Sequence, residues 1–290
     1  MTCEQLVLGT ALLGADYGIA HTAKKITPTE FQSIMIAAWK VGVHSIDTAA
    51  AYGDSHRILG EIGIDNWSIT TKLPSVTTKT GPIDEWYRAF IASTLQELGL
   101  QEIDTLLIHH VKELSGVFGA KLISLLRESQ FNGDVRNIGV SIYSPQDMES
   151  FYSEFRPDVV QCPYNIFDQR IANSGWLQRL SNDGVEVHAR SVFLQGILLR
   201  NFLELNSYFE PWYVFFDKWH IFCEKNNMSK LQAAIGFVKA ENRIKKIIVG
   251  IEDIHQLQQI LDAYLTDTPK ISIDPCNEIA LVNPLMWEIA

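Results

Sequence analysis

The sequence has few cysteines, no long apolar run and no excess of positive charge, and each absence excludes a class of protein. The four cysteines are scattered without a CxxC pair, a pattern that favours reduced thiols over a disulfide framework or a zinc site. No run approaches the roughly 18 consecutive apolar residues of a membrane span. The first residues lack a basic segment followed by an apolar stretch, so no signal peptide is predicted. We therefore expect a cytoplasmic protein without a membrane partner.

The charge balance argues against nucleic acid as a partner. The chain has 24 Lys and Arg residues against 34 Asp and Glu residues, a net charge of −10. Binding a phosphate backbone requires a basic face, and no cluster of Lys and Arg stands out. With 290 residues, 47% of them hydrophobic, the chain is long enough to bury a full core. No linker or low-complexity segment divides it, so we predict one domain spanning residues 1–290.

Eight short apolar runs alternate with stretches of helical periodicity. The runs are Leu6–Leu8, Val43–Ile46, Ser68–Thr70, Thr105–Ile108, Ile138–Val140, Val159–Gln161, Val185–Val187 and Ile247–Val249. Apolar strands that alternate with helices indicate a parallel sheet covered by helices. Eight such units in one undivided chain predict an α/β fold, a closed (β/α)₈ TIM barrel. A doubly wound open sheet is the alternative, but Gly9–Gly14, after the first run, lacks the G-x-G-x-x-G motif of that fold.

The helical stretches begin at recognisable caps. They include residues 31–39, 86–98, 120–127, 231–239 and 254–263. Thr27, Ser144 and Ser229 are predicted N-cap residues, and proline follows the first two. The segment 201–222 carries several aromatic residues and exceeds a normal connection between a strand and a helix. We predict that it is an insertion after the seventh strand that covers the mouth of the barrel.

Four polar residues fall at the carboxyl ends of predicted strands, where the active site of such a barrel lies. Asp47 follows the second run, and Tyr52 lies in the loop beyond it. Lys72 and His109 follow the third and fourth runs. A lysine ammonium beside a phenol favours the ionised form and is expected to lower the pKa of Tyr52. An aspartate offsets the cost of burying the lysine, and a histidine can orient a substrate oxygen. The set predicts a proton donor for an oxygen on which negative charge develops.

Each of these residues also has a structural interpretation. Asp47 and Lys72 can form a core ion pair, Tyr52 can be a packing residue, and His109 can be a core histidine. The coincidence of all four at adjacent strand ends favours catalysis. His110, next to His109, suggests a metal, as in a metal-dependent barrel hydrolase, but successive strand residues face opposite ways. We therefore predict no metal site.

The sequence resembles the aldo-keto reductase superfamily over essentially its whole length. The matching segments are Gly42–Ala49, Tyr52-Gly53, Leu59-Gly60, Thr71–Leu73, Asp104–His109, Ile138–Ser141, Gln161–Asn165, Ser191–Leu198 and Ile248–Leu257. The resemblance implies an NAD(P)H-dependent reductase with a catalytic tetrad in which Tyr52 is the acid. The other members of that tetrad are Asp47, Lys72 and His109. The alternative within the same family is a regulatory barrel that binds the cofactor with little turnover.

The resemblance also implies contacts to the cofactor. Ser141 and Gln161 are expected to bind the carboxamide of the nicotinamide, Thr10 to lie near its ribose, and Asp47 to contact the cofactor as well. Barrels often bind phosphate in the loops after the seventh and eighth strands, at helix N-termini. The remaining predicted contacts lie at those loops: Arg190, Ser191, Leu194, Gly196, Gly250, Glu252, Gln256 and Gln259.

Two positions depart from the pattern of many relatives. Ser141 is followed by Ile142, where those relatives have asparagine. Arg190 stands where they stack an aromatic ring on the nicotinamide. A guanidinium plane can stack on such a ring too. The alternative for Arg190 is an ion pair at the end of the strand.

The loop after the eighth strand bears on the choice of cofactor. The resemblance implies NADP, whose 2′-phosphate is gripped there by Lys or Arg, but Gly250–Gln256 contains neither. Glu252 and Asp253 instead place two carboxylates near the expected phosphate. We therefore predict that NAD(H) is used at least comparably to NADP(H). In the alternative, Asp253 caps the last helix and Glu252 points to solvent.

Two polar loops indicate a polar substrate. They are Asp16–Gly18 and Phe167–Arg170, which with His188–Gly196 resemble a bacterial subgroup associated with surface-polysaccharide and sugar biosynthesis. We predict a polar, sugar-like small-molecule carbonyl, or the corresponding alcohol, as the partner, with phosphorylated and nucleotide-linked forms among the candidates.

Three residues are predicted to contact that substrate: Tyr17, His110 and Arg170. Arg170 is the candidate for an anionic group of the substrate. An ion pair with Asp168 is its alternative.

Overall fold

The structure, a computed structural model, describes residues 2–14, 26–76, 81–276 and 278–288. The predicted substrate-loop residues Asp16, Tyr17 and Gly18 lie outside these ranges.

Eight parallel strands close into a barrel in the order β1 to β8. They are β1 Leu6–Gly9, β2 Ser45–Asp47, β3 Ser68–Leu73, β4 Ile103–Ile108, β5 Val135–Ser141, β6 Val159–Pro163, β7 Glu186–Arg190 and β8 Ile244–Gly250. Each predicted apolar run overlaps one strand. The (β/α)₈ barrel in one domain is confirmed, and the doubly wound open sheet is excluded because β1 pairs with β8.

The strand register brings the chemically active ends together. Asp47 on β2 pairs with Thr70 on β3, and Lys72 lies two residues further along that strand. On the other side of the barrel, Ser141 on β5 pairs with Gln161 on β6. All strands run the same way, so these carboxyl ends meet at one mouth.

Helices surround the barrel. They are α1 Ala11–Gly14, α2 Pro28–Trp39, α3 Ser55–Ile62, α4 Ile83–Leu98, α5 Gly119–Asn132, α6 Pro145–Glu149, α7 Arg170–Asn173, α8 Trp176–Asn182, α9 Tyr213–Lys225, α10 Lys230–Lys239, α11 Ile254–Leu265 and α12 Ile279–Val282. The three predicted N-caps are confirmed, since Thr27, Ser144 and Ser229 each form a capping box. Among the described residues, no helix is long and apolar enough to cross a membrane.

The predicted insertion is built from short helices. After 3₁₀ helices at Ile197–Leu199, Phe202–Glu204 and Ser207–Trp212, the chain continues directly into α9. This part packs with the C-terminal segment into a second hydrophobic cluster, distinct from the main core between barrel and helices. The cluster lies beside the loops that follow β6 and β7, because it includes Phe167 and Leu194. It packs beside this side of the mouth. Among the described residues of this segment, Leu199 is the last one that lines the cleft at the mouth.

Candidate active site

A buried ion pair lies at the mouth of the barrel. Lys72 Nζ is 2.6 Å from Asp47 Oδ1 and donates a second hydrogen bond of 2.9 Å to the carbonyl oxygen of Thr48. Lys72 is 1% exposed and Asp47 is 4% exposed. Gln161 Nε2 donates to the other oxygen of Asp47, at 2.6 Å. The carboxylate is thus bonded through both oxygens, which offsets much of the cost of burying it.

Tyr52 and His109 lie next to this ion pair. Lys72 Nζ is 5.3 Å from the centroid of the Tyr52 ring. The rings of Tyr52 and His109 are 6.5 Å apart and nearly perpendicular, at 86°. The structure therefore brings together all four predicted tetrad residues, which come from β2, β3 and the loops after β2 and β4.

The pKa of Tyr52 differs from the prediction. Burial raises the pKa of its phenol, and the charge of Asp47 raises it further, while Arg190 acts in the opposite direction. The expected lowering of this pKa is therefore wrong, because removal from water outweighs the neighbouring positive charge. A phenol with a raised pKa keeps its proton at neutral pH, as a proton donor must.

His109 is neutral at physiological pH. Burial and then the charge of Lys72 lower its pKa to about 3. Its ring stacks on that of His110 at 4.8 Å, with an angle of 21° between the planes. The prediction that these neighbours face opposite ways is wrong, because β4 ends at Ile108 and strand alternation ends with it. Within the described residues there is no cluster of three His, Cys, Asp or Glu side chains suited to a metal.

Hydrogen bonds hold the loop that carries Tyr52. The Thr48 and Ser55 hydroxyls are 3.0 Å apart, and His56 Nε2 lies 2.8 Å from the Thr71 hydroxyl. Both bonds fasten the start of α3, and the second fastens it to the strand that carries Lys72. Sequence reasoning missed His56, because nothing in its spacing distinguishes it from a surface residue of an amphipathic helix.

A cleft opens above the ion pair and extends toward β1 and β8. Its lining includes nine of the predicted cofactor contacts: Thr10, Asp47, Gln161, Arg190, Ser191, Gly196, Gly250, Glu252 and Gln256. The lining also includes Phe193 and Gln195, which the sequence analysis did not single out. Both residues lie between Ser191 and Gly196, which are predicted contacts, so their place in the same loop could have indicated that they line the cleft.

Three predicted cofactor contacts do not line the cleft. Ser141 is buried at the end of β5, beside Gln161. The side chain of Leu194 is fully buried in the second hydrophobic cluster. Gln259 is exposed on α11 and contacts His255.

The loop after β7 has an unusual backbone. Ser191, Leu194 and Gln195 adopt positive φ angles of 56°, 45° and 56°, and Gly196 follows at 85°. Residues other than glycine rarely adopt this left-handed conformation, and it clusters at ligand-binding loops. An added Cβ at Gly250, across the cleft, would meet no atom within 4 Å. The tight turn after β7 and the unobstructed backbone at Gly250 leave room for a phosphate group to approach closely.

The start of α11 separates the roles of its two acids. Asp253 is the N-cap, and its Oδ1 accepts the backbone N–H of Gln256 at 2.7 Å. Gln256 in turn accepts the backbone N–H of Glu252, also at 2.7 Å. Asp253 therefore caps the helix, as the alternative interpretation of this loop predicts. Glu252 lines the cleft and is exposed.

Arg170 forms an ion pair. Its Nε and Nη2 donate to the two oxygens of Asp168 at 2.8 and 2.7 Å, and Nη2 also donates to the Tyr143 carbonyl at 3.0 Å. Asp168 is 1% exposed. The interpretation of Arg170 as an anion contact is therefore corrected in favour of its alternative, because a bidentate pair already uses the guanidinium.

Arg190 lies in the cleft. Its guanidinium carbon is 4.3 Å from the centre of the Tyr143 ring, and it donates to the carbonyl of Ile142 at 2.9 Å and to the hydroxyl of Ser191 at 3.2 Å. The described residues include no salt bridge to Arg190, so the predicted ion-pair alternative is not what the structure shows. Tyr143 was missed from the sequence, since it lies two residues beyond β5.

Comparison with known proteins agrees with this fold. The model of the aldo/keto reductase family matches residues 5–280. L-glyceraldehyde 3-phosphate reductase of Escherichia coli K12 is 25% identical over 217 residues, which cover 67% of this chain and 62% of that protein. An aldo-keto reductase of Mycolicibacterium paratuberculosis is 30% identical over 128 residues, 42% of this chain and 43% of that protein. The chain thus matches less than two thirds of the length of these relatives.

Solved structures share the same architecture. The glycerol dehydrogenase of Gluconobacter oxydans superposes with a TM-score of 0.71 at 21% identity, covering 91% of this chain and 88% of that one. The holo form of an aldo-keto reductase from Bacillus halodurans gives a TM-score of 0.71 at 17% identity, covering 92% and 88%. At these identities the likeness shows the fold.

Proposed function

The chain belongs to the aldo/keto reductase family of carbonyl oxidoreductases, and from this premise we propose that it reduces an aldehyde or ketone with NAD(P)H, or catalyses the reverse reaction. The observation that carries the proposal is the buried Lys72–Asp47 pair beside Tyr52 and His109. An ion pair so deeply buried is costly as a purely structural device, and here it adjoins a cleft.

The four residues divide the proton chemistry. When bound, the nicotinamide supplies hydride for reduction or accepts it in the reverse direction. Tyr52 donates its phenolic proton to the carbonyl oxygen as negative charge develops there. The ammonium of Lys72 stabilises the phenolate that remains, and Asp47 holds that ammonium in place. His109, neutral because of its low pKa, can donate a ring N–H to the same oxygen and orient it.

The cleft residues fit a dinucleotide. Gln161 presents an amide beside Asp47, and Ser191 and Gly196 bound the strained loop after β7. Gly250 leaves the backbone open at the end of β8. An amide near the reacting groups suits a carboxamide, and turns with open backbone suit phosphates.

We also propose that NAD(H) is used at least comparably to NADP(H). Glu252 lines the cleft, whereas Arg190 is the one Lys or Arg side chain among its described lining residues. A carboxylate about 4 Å from a phosphate is repelled by roughly 4 kcal/mol at an effective dielectric constant near 20, before screening. Solvent and salt reduce this repulsion, but about 1.4 kcal/mol suffices for a tenfold preference.

The proposed substrate is a small, polar, sugar-like carbonyl or its alcohol. The polar side chains of Gln161, Arg190 and Gln195 in the lining of the cleft support it, as does the similarity to a protein named L-glyceraldehyde 3-phosphate reductase. The resemblance of the loop after β7 to a surface-polysaccharide and sugar subgroup points the same way.

Replacing Tyr52 with phenylalanine tests the proposed chemistry. The Tyr52→Phe variant keeps the ring and loses only the transferable proton. We expect reduction of an aromatic aldehyde, followed by loss of NAD(P)H absorbance, to fall on the order of 10²–10⁴-fold. The control is Tyr213→Phe on α9, which lies outside the lining of the cleft and should match the wild type.

Cofactor binding separates the enzyme from a regulatory barrel. Quenching of tryptophan fluorescence should give similar dissociation constants for wild type and Tyr52→Phe, because the phenolic proton is not needed to hold the dinucleotide. Near-wild-type turnover in the folded variant would refute the role of Tyr52. Cofactor binding without turnover by the wild type, across aldehydes and sugar carbonyls, would favour the regulatory alternative.

A further inference from the structure

A cavity separate from the active-site cleft lies between α4 and α5, on the outside of the barrel. Its volume is about 250 Å³, and it shares no described lining residue with the cleft. Tyr87, Ile91 and Leu95 line it from α4, four residues apart and therefore on one face of that helix. Leu125 and Ser129 line it from α5 with the same spacing. The two helix faces thus bound a space whose walls are both aliphatic and polar.

The hydroxyl of Tyr87 is buried without a hydrogen-bond partner, in a side chain that is only 1% exposed. Among the described residues, it is the one buried side-chain nitrogen or oxygen in this condition. Burial raises the pKa of the phenol, and Ser129 lies close enough to lower it, yet the Ser129 hydroxyl does not complete a hydrogen bond to it. Nearly all buried polar groups have a partner, because leaving one unpaired costs free energy. Since Tyr87 lines the cavity, a partner for its hydroxyl enters from there.

A carboxylate without a partner lies beside this hydroxyl. Helix α5 ends at Gly133, whose φ of 82° turns the chain so that the backbone N–H of Asp134 bonds to the Ser129 carbonyl at 3.0 Å. This turn leaves Asp134 half-buried in the lining of the cavity. Among the described residues, none donates a hydrogen bond to its carboxylate or forms an ion pair with it. After burial, the charges of Asp134 and Glu128 also raise the pKa of Tyr87, so both acids lie near its hydroxyl.

We propose that this cavity binds a small amphipathic amine, a molecule with a protonated amino group on a single ring or a short aliphatic chain. The ammonium pairs with Asp134 and donates an N–H to the Tyr87 hydroxyl. The apolar part packs on Ile91, Leu95 and Leu125. An apolar cavity of about 150 Å³ accommodates benzene, so this larger one has room for a ring with a short polar arm. The inference does not depend on the chemistry proposed for the cleft, and its test requires no turnover.

The charges of the lining favour a cation over an anion. The charged residues are Arg88, Glu128 and Asp134, and Arg88 is already paired with Glu128 at 3.0 Å. The unpaired charge is therefore negative. A water molecule could satisfy the Tyr87 hydroxyl, but it would neither neutralise Asp134 nor use the aliphatic walls. A cation with an apolar part matches all three features.

Three probes with the same ring test the preference for a cation. They are cyclohexylmethylamine, cyclohexylmethanol and cyclohexanecarboxylate, which at neutral pH carry an ammonium, a hydroxyl and a carboxylate. Titration calorimetry gives the dissociation constant of each for the wild-type protein. We expect that of the amine to be on the order of 1 mM or lower, and at least about tenfold below the other two, as one charge-assisted contact gives. Equal affinities would overturn the proposal, and so would no binding by any probe, which would make the cavity a site for water alone.

Two variants assign the binding to this cavity. Asp134→Asn keeps the shape and removes the charge, so affinity for the amine should fall about tenfold, to the level of the alcohol. Ala92→Phe adds a ring at an exposed position of the lining and should weaken amine binding without changing any charge. The control is Asp267→Asn, which removes an exposed carboxylate outside the lining and should bind as the wild type does. Unchanged amine affinity in Asp134→Asn or in Ala92→Phe would refute the inference.

Tyr87→Phe tests the unpartnered hydroxyl. The variant keeps the buried ring and removes a group that has no partner, so the urea midpoint of unfolding should stay the same or rise. Affinity for the amine should fall several-fold, because the ligand N–H loses its acceptor. A lower midpoint with unchanged amine affinity would show that the hydroxyl is bonded within the protein, and would contradict the proposal.

Discussion

Lys72 shows how a barrel can hold a lysine where water cannot reach it. Its ammonium donates to Asp47 and to the backbone carbonyl of Thr48, and it faces the ring of Tyr52. Gln161 bonds the far oxygen of Asp47. Charged groups are tolerated in a core only with such complete bonding. The same bonding fixes the ammonium where a phenolate would form.

Lys72→Met is expected to affect both stability and catalysis. It leaves the Asp47 carboxylate buried without its counter-ion, so the free energy of unfolding should fall by about 3–5 kcal/mol. Urea unfolding measures this change, and carbonyl reduction should be lost in parallel. The matched control is Lys121→Met, which breaks an exposed pair with Asp84 at 2.8 Å and should cost about 1 kcal/mol or less. Equal effects of the two variants would contradict this account.

His109 should make folding stability depend on pH. The unfolded chain protonates this histidine below about pH 6.5, whereas the folded protein does so only near its lowered pKa of about 3. Its contribution is fully present above about pH 6.5 and is lost as the pH falls toward 3. Between about pH 7 and about pH 5 the wild type should lose roughly 1–2 kcal/mol more than His109→Asn. Parallel pH profiles of unfolding for the two proteins would contradict the lowered pKa.

At the scale of residues, the side-chain positions that could be predicted from the sequence are those that strand periodicity determines. Asp47 and Lys72 could be predicted because each lies at a fixed distance from an apolar run. Asp168 could be named as the partner of Arg170, because it lies two residues away in the same loop. The partners of Arg190 could not, because they depend on the path of loops beyond the strands. Tyr143 escaped notice for the same reason.

At the scale of elements, the junction of β8 and α11 combines a helix cap with a residue that lines the cleft. Asp253 satisfies a backbone N–H at the start of the helix, a bond that typically contributes about 1 kcal/mol. Glu252, one residue earlier, lines the cleft. Neighbouring acids with the same charge therefore have separate tasks.

Glu252→Gln is expected to shift cofactor preference toward NADP(H). Removing the carboxylate removes repulsion of the 2′-phosphate, so the dissociation constant for NADPH should fall several-fold relative to that for NADH, up to about tenfold. Tryptophan quenching gives both constants. Asp253→Asn is the matched control, because asparagine keeps the N-cap and the substitution removes the same charge outside the cleft lining. An equal shift in both variants would mean that net charge, and not the position of Glu252, sets the preference.

The strands and long helices could be predicted from local sequence patterns, but the position of the segment after β7 could not. The capping boxes at Thr27 and Ser229 are local, so three residues of sequence suffice to predict them. The segment 201–222 is predicted to cover the mouth, and among the described residues of this part of the chain the lining of the cleft ends at Leu199. The position of this segment depends on contacts with residues some 70 positions later in the chain, such as the hydrogen bond that the Tyr208 hydroxyl donates to the carbonyl of Ala280.

At the scale of the whole molecule, two hydrophobic cores meet at the β7 loop. Phe193 packs against both the main core and the second cluster. Leu194 is buried in the second cluster, and Gln195 and Gly196 line the cleft. The strained loop is thus held between the binding site and a core that the C-terminal segment completes. Positive φ angles persist only where surrounding packing enforces them.

A change in the second core should therefore be detected in the cleft. Leu281 on α12 is fully buried in that core, and Leu281→Ala should lower the free energy of unfolding by about 2–5 kcal/mol. Because Leu194 shares this cluster, the loop should also lose its enforced backbone, and the dissociation constant for cofactor should rise several-fold under native conditions. The control is Leu285→Ala in the same segment, which is 70% exposed and should change neither quantity. If Leu281→Ala is destabilised but binds cofactor as the wild type does, the barrel holds the loop unaided, and the second core serves stability alone.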